Sequence, residues 1–336
     1  MSDGRIVDLA CGDGGLATRE LIEDVFLPRI GNEKLRSGGD SSLVSAGEKI
    51  WMTTDSFVVS PPQFPGGDIG KLSIYGTVND LAVAGARPLH LSAGFVLEEG
   101  LSLDLLEAVV QSMGEAAREL GVEIVAADTK VVERGFGGGI YINTTGVGAT
   151  MGAIRLGTDR IRAGDALILT GPVGDHGVAI MATRAGLSFD TRVRSDCAPL
   201  WPLTGRLLEG LGDGLRFMRD PTRGGIATAL DEVARGTGRD LLLEEMALPV
   251  RTGVRAATEM LGLDPLYLAC EGQALLVVEE SMSARALEII ASTEGPWEPA
   301  VVGSVGEEGG AVRLRTPLGG TRRLGPLRGD PLPRIC

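Results

Sequence analysis

The sequence predicts a mixed α/β protein of the α+β type, built as two domains. Its 336 residues exceed what most single hydrophobic cores hold. Apolar residues make up 43% and charged residues 23%, the proportions of a folded globular chain rather than a disordered one. Period-two runs rich in β-branched residues alternate along the chain with runs of helical spacing, the mark of mixed secondary structure.

In chain order, KIWMTTDSFVV (49–59) reads as a strand closed by the turn Ser60-Pro61-Pro62. PGGDIGKLS (65–73) superficially matches a phosphate-binding P-loop. That motif needs four residues between its glycines and a Ser or Thr after the lysine; here Gly66 and Gly70 enclose three, and Leu72 follows Lys71. The stretch instead predicts a loop entering a helix with Asp68 as its cap, an end that can still receive an anion. The helix runs on through IYGTVNDLAVAGARP (74–88). A second helix spans 101–121, with Ser102 as cap, apolar residues at 105, 106, 109, 110, 113 and 120, and Gly121 as stop. Strands follow at 122–132 and 140–150, so the first domain is expected to cover 1–152.

The second domain, 153–324, opens with the strand DALILTG (165–171) and the glycine-rich turn GPVGDHG. Helices then fit near 198–210, 224–236, 252–262 and 283–292; strands fit near 240–243 and 274–280, with a last pair within 300–315. No internal repeat is visible. From Gly325 the chain is Pro/Gly-rich and aperiodic, which predicts an extended tail, 325–336, ending in Cys336.

Composition excludes several function classes. A net charge of −13 with no long Lys/Arg run argues against a nucleic-acid partner. No apolar run approaches the length needed to span a bilayer, and the start has no secretory pattern, so a cytoplasmic protein without a membrane partner is expected. Cys11, Cys197, Cys270 and Cys336 form no C-x-x-C pair, which argues against a zinc knuckle or a secreted disulfide framework. Glycine, at 50 residues, is about twice its usual share and implies many tight turns or close backbone approaches.

The carboxylates raise a question. Asp80 stands between apolar neighbours on a run with no cation from Lys71 to Arg87, and Asp55 and Asp128 recur in similar settings. Burying them unpaired is costly, whereas a divalent metal would neutralise them. Hydrogen-bonded turn or cap aspartates are the competing reading. Magnesium commonly bridges a few carboxylates to phosphates, so a nucleotide is the natural further expectation.

FPGGDIGKLSIYGTVNDLAVAGARP, VAADTKVV, GDHG, RDPTRGG and LACEGQALLVV, in this order and ending in PRIC, resemble the HypE family of hydrogenase maturation proteins. The resemblance runs from about residue 5 to the last residue. It implies the two-domain PurM-like fold shared with aminoimidazole ribonucleotide synthetase, selenophosphate synthetase and thiamine-monophosphate kinase. In that fold ATP binds without a P-loop at a homodimer formed by the N-terminal domains, and a C-terminal α/β domain follows. The resemblance further implies that Cys336 accepts a carbamoyl group from the carbamoyltransferase HypF. ATP-dependent dehydration would turn it into an S-cyanate, and the cyanide would pass to the HypC–HypD complex for the iron of a nickel-iron hydrogenase.

Site residues follow from the same resemblance. Cys336 is the carrier, its thiol pKa raised by its own α-carboxylate with Arg334 as partial counterweight. Asp55, Asp80 and Asp128 would hold Mg2+; Asp40, Lys71, Asn79, Asp80, Asp128, Asp220 and Arg223 would hold ATP, with GGDSSLV around Asp40 the loosest fit. Lys130 and Glu271 would stand nearest the thiocarboxamide, Lys130 sharing a strand face with Asp128. The competing readings are a solvated charge for Lys71, ion pairs for Lys130 and Glu271, a helix cap for Asp220 or Thr222, and a turn position for His176. Cys11 in ACGDGG departs from the family, which often has histidine there. It also raises selenophosphate synthetase as the alternative, although that family has a lysine nearby and none precedes Lys34 here. A non-catalytic thiol carrier is the third reading.

The chemistry is coherent by itself. An amide oxygen leaves poorly, so making a nitrile from a carboxamide requires phosphorylating that oxygen and a base to take protons from nitrogen. A polyproline-like tail of about 12 residues at about 3.1 Å each reaches roughly 37 Å, enough to travel between two sites.

Overall fold

The structure, a computed structural model, describes residues 6–7, 20–32, 50–151, 155–186, 193–325 and 335–336. Asp40, Cys11 and Arg334 lie outside the described residues.

The first body is a four-stranded sheet covered by helices on one face. After the helical segment Leu27–Ile30 (α1), the sheet strands are β1 (Ile50–Phe57), β4 (Ala86–Glu98), β5 (Glu123–Val132) and β6 (Ile140–Thr150), in spatial order β1-β6-β4-β5. A short hairpin, β2 (Gln63–Phe64) and β3 (Gly67–Asp68), leads into α2 (Ile69–Val83). The Asp68 carboxylate accepts from the amides of Gly70 and Lys71, as the sequence predicts of a cap. α2 is buried on nearly all sides, the pattern of a helix enclosed by its own protein. The second helix, α3 (Leu103–Leu120), is bounded by Ser102 and by Gly121 in the left-handed region, but the Ser102 side chain makes no capping bond.

Two expectations are corrected here. The helix carrying Asp80 stops at Val83 rather than 88, and the chain turns at once into β4, a thirteen-residue strand that sequence reading missed. Its apolar residues Leu91, Ala93, Phe95 and Leu97 do alternate, but a bulge between Pro88 and His90 breaks the pattern where it begins.

The second body is a seven-stranded sheet of β7 (Ala166–Leu169), β8 (Leu215–Arg219), β9 (Arg239–Glu244), β10 (Leu275–Val278), β11 (Ala300–Glu308), β12 (Val312–Arg315) and β13 (Thr321–Leu324). The order is β13-β12-β9-β11-β7-β10-β8, so β9 inserts between β11 and β12 and those two are not a paired hairpin. β7 shows why both faces must be covered. Leu167 and Leu169 join a core with Ile226 and Leu230, while Ala166 and Ile168 join another with Leu203, Leu207 and Ile289. The covering helices are α4 (Asp175–Arg184), α5 (Trp201–Leu211), α6 (Gly225–Thr237), α7 (Thr252–Leu261) and α8 (Ser283–Ala291). α4 occupies what the sequence suggested was only a turn. Among the described residues, no helix is long and apolar enough to cross a membrane.

Candidate active site

The two bodies meet along the segment 195–198, and glycine makes the approach possible. Gly66 sits at φ +103°, with Ser195 so close that an added Cβ would lie 2.6 Å from its carbonyl oxygen, and the Ser195 amide donates to the Pro65 carbonyl at 2.7 Å. At Gly272 a Cβ would overlap the Asp196 carbonyl oxygen. Asn79, 1% exposed, completes the seam: its Nδ2 donates to the Ala198 carbonyl at 3.1 Å and the Glu271 carbonyl at 3.4 Å, and its Oδ1 accepts from the Leu200 amide at 2.7 Å. The Asn79 amide, expected to position phosphate, is thus committed to holding the two bodies together.

Beside this seam lies a cleft of about 530 Å³, lined by Thr53, Asp55 and Asp80 from the first body and by Arg219, Asp220 and Arg223 from the second. Thr53 Oγ1 donates to Asp80 Oδ2 at 2.7 Å. Burial, then the Asp55 charge, raises the Asp80 pKa against the Thr53 bond and the Arg219 and Arg223 charges. Burial and the Asp80 charge push Asp220 up to about 7. The capping alternative for Asp220 and Thr222 fails, because α6 begins at Gly225 with Gly224 as its N-cap and no side-chain cap bond.

The tail ends deep in this seam. Ile335, 8% exposed, joins the apolar cluster of the first body with Phe57, Phe64 and Ile180. The Val58 amide donates to a carboxyl oxygen of Cys336 at 3.0 Å, and the Cys336 thiol lies beside the buried Glu271 carboxyl, one of whose oxygens has no hydrogen-bond partner. Glu271 is 3% exposed, and its backbone amide donates to Asp196 Oδ1 at 3.1 Å. Burial first, then the charges of Asp196, Asp220 and Asp55, raise its carboxyl well above the usual range. Burial and the Glu271 charge raise the Cys336 thiol, opposed by Arg223. Burial is thus the largest cause, and Arg223 is a countering cation among the described residues, to which Arg334 does not belong. Since Asp55 acts on both groups, the thiol and the carboxylate cleft share one field.

Three expected site residues stand apart from the Asp55 and Asp80 carboxylates within one chain. Lys71 lies nine residues before Asp80 on α2, half a rotation and about 13 Å away along the axis, with Nζ 5.3 Å from the centre of the Tyr75 ring. Asp128 and Lys130 sit on the far edge strand β5, exposed, with their charged atoms 3.4 Å apart. The register row Ser56–Asn143–Gly94–Asp128 puts Asp128 on the outer face with Ser56, whereas Asp55 faces α2. Asp55 and Asp128 of one chain are separated by two strands, about 14 Å, and cannot bind the same ion. Among the described residues no three His, Cys, Asp or Glu side chains converge to hold a metal. The oxygen donors of Asp55 and Asp80 still suit Mg2+ in kind, leaving most of its shell to phosphate oxygens and water.

Sequence reading missed Asp196 and gave His176 only a turn role. His176 is fully buried in the first turn of α4. The acidic residue of the SDC run was a visible signal for Asp196; nothing local distinguished His176, because its partners are distant in sequence.

Comparisons with known proteins identify the family. The family model for the AIR synthase related protein N-terminal domain matches residues 38–150, and that for the C-terminal domain matches residues 162–315. Carbamoyl dehydratase HypE of Cupriavidus necator is 46% identical, with 100% of this chain and 96% of that protein covered. Its Escherichia coli counterpart is 43% identical over 98% of this chain and 99% of its own length. A solved structure of hydrogenase maturation protein HypE in complex with ATP superposes with a TM-score of 0.94 at 45% identity, covering 98% of this chain and 99% of that one. A HypE–HypF complex structure matches with a TM-score of 0.80 at 43% identity, covering 91% and 99%. The fold is the two-domain, mixed α/β PurM-like one, and the chain belongs to the HypE family of AIR synthase related proteins.

Proposed function

We propose that this protein dehydrates an S-carboxamide on its own Cys336 to an S-cyanate at the expense of ATP. The observation that carries the reading is the last residue itself: its thiol is docked against a buried carboxylate, Glu271, at the edge of a cleft whose acidic residues share its electrostatic field. ATP complexed to a structure 45% identical over nearly the whole chain supports the cosubstrate.

The step balances without a redox partner. The carboxamide oxygen attacks the terminal phosphorus of ATP, forming an O–P bond as ADP leaves. The carbon–oxygen bond then breaks with its electron pair going to phosphate, while nitrogen loses both protons, one to Glu271 and one to the departing phosphate, and becomes the nitrile. Glu271 is within reach of the tail's sulfur group, and a carboxylate raised by burial is a stronger base than an ordinary one, which suits it to accept a proton from that nitrogen. Arg223 and Arg219 supply positive charge in the cleft for the transferring phosphoryl group. Asp55 and Asp80 would hold Mg2+, which supplies neutralisation of phosphate charge.

Asp128 and Lys130 fit this reading only if a second copy presents them. The outer sheet face that carries them also exposes Ile50, Met52 and Val96, which suits a homodimer built on residues 1–152. HypF as carbamoyl donor is supported by the HypE–HypF complex of a 43% identical chain; delivery of cyanide to HypC–HypD completes the proposed sequence.

The test is mass spectrometry of the C-terminal peptide after incubation with HypF, carbamoyl phosphate and ATP. A gain of about 43 Da on Cys336 that falls by about 18 Da with further Mg·ATP is the expected result, the masses of a carbamoyl group and of the water lost through phosphoryl activation. A stable adduct that never loses mass would make the protein a carrier only. An adduct-free Cys336 beside an active HypF would overturn the proposal.

A further inference from the structure

The imidazole of His176 has no part in the chemistry above, yet it is fully buried and both its nitrogens are engaged. Nε2 lies 2.6 Å from the carbonyl oxygen of Ile335, and Nδ1 lies 2.8 Å from Ser195 Oγ. A main-chain carbonyl can only accept, so the Nε2 nitrogen carries the proton. Nδ1 then accepts from the Ser195 hydroxyl, whose oxygen in turn accepts from the Cys197 amide at 3.0 Å. The Phe64 ring stands edge-on to the imidazole at 5.4 Å and closes one side. Burial holds the imidazole pKa down at about 4, so the ring is neutral at physiological pH and its donor role is fixed.

We propose that His176 is a positioning residue that sets the register of the C-terminal tail, gripping the Ile335 carbonyl so that the next residue, Cys336, meets Glu271. The Val58 amide grips the following carbonyl position, the carboxyl group of Cys336. The two holds bracket the Cys336 Cα, which fixes its backbone dihedrals and so the direction of its thiol. The Ile335 side chain, in the apolar cluster of the first body, supplies affinity but would tolerate small shifts; the two hydrogen bonds supply register. His176 has no free nitrogen left for proton transfer, which separates its role from that of Glu271. The purpose of this latch rests on the proposed dehydration; its geometry does not.

The test reads docking and chemistry separately. Docking is read by the rate of Cys336 alkylation with iodoacetamide, followed on the C-terminal peptide without ATP or partner. His176→Leu is expected to raise that rate roughly ten- to hundred-fold, the worth of a buried hydrogen bond whose acceptor is left unsatisfied. It should slow single-turnover dehydration of carbamoylated protein by a similar factor while carbamoylation by HypF is not slowed. His176→Gln, which can donate to Ile335 and accept from Ser195, should return both rates toward wild type. An alkylation rate unchanged in His176→Leu, or a Gln variant as impaired as Leu, would overturn the latch. Should His176→Leu fail to fold, a glycine inserted between Ile335 and Cys336 tests the same register with the core intact: it leaves the Ile335 carbonyl and the next carbonyl to the two holds but carries the thiol one residue beyond them, and unchanged alkylation and dehydration would refute the two-point hold. Alkylation that responds as expected in a protein that never dehydrates its tail would retain the latch and reject the proposed reaction.

Discussion

At the scale of single residues, the site is governed by burial of like charges. Glu271, Asp196, Asp80 and Asp220 are all raised above ordinary carboxylate values, and burial is the first cause for each. Glu271→Gln keeps shape and removes the basic oxygen; it should lower single-turnover dehydration by about a hundred-fold or more while carbamoylation of Cys336 proceeds normally, as separate peptide-mass assays would register. Asp80→Asn should weaken magnesium-dependent nucleotide binding roughly ten-fold, measured by calorimetry, and leave binding without magnesium nearly unchanged. Unfolded, Asp220 titrates near its ordinary value of 3.8; folded, it titrates at about 7. A raised carboxyl pKa stabilises the fold fully below the unfolded value, and that contribution is lost as pH rises through the folded one. Asp220→Asn should therefore match wild type near pH 4 and gain thermal stability relative to it as pH rises from about 4 to about 7. An equal gap at pH 5 and pH 8 in paired melting curves would contradict the assignment. Asp80 and Asp55, with Asp128, were readable as acidic residues in apolar runs, and Asp220 and Glu271 through the family resemblance; the role of His176 was not, because what defines it is a carbonyl 159 residues away.

At the scale of elements, the seam between the bodies depends on short segments rather than on helices. Asn79 on α2 holds Ala198, Leu200 and Glu271 by side-chain bonds to their backbone. Asn79→Ala leaves those buried groups unpartnered and should cost about 2–4 kcal/mol in denaturant unfolding. A residue whose role was phosphate binding alone would instead lower nucleotide affinity with stability unchanged. Gly272→Ala forces a methyl group onto the Asp196 carbonyl, should cost about 2 kcal/mol or more, and should displace Glu271 from the thiol. The Asp68 cap of α2 was evident from its position before a helical run, since a cap is a local interaction. β4 was not, because a bulge and the preceding helix masked its alternation, and β8, five residues of which Arg216 and Arg219 are two, offers too short a period.

At the scale of the whole molecule, the proposed reaction gives a reason for a thiol on Cys336. A terminal residue has a neighbour on one side only, so it can be held by its own carboxyl group and still enter a narrow seam between two bodies. The acidic surface implied by a net charge of −13 leaves Arg219 and Arg223 as local positive points in the cleft. Asp128 and Lys130 are carried on the edge and face of the first sheet opposite to Asp55, so in the proposed reaction a second copy would have to present them.

The sequence by itself determined the family, the alternation of helices and strands, and the absence of a P-loop. These are properties of local order: spacing of glycines, periodicity of apolar residues, and ordered motifs read along one dimension. Only the tertiary structure decided which of the motif residues share a site. It joined Asp55, Asp80, Asp220 and Arg223 across two bodies, set Asp128 and Lys130 apart from them, converted Asn79 into a seam and His176 into a latch. Strand order and register settle such distances, and both depend on which face of each strand is buried, a choice made by packing between segments far apart in the chain.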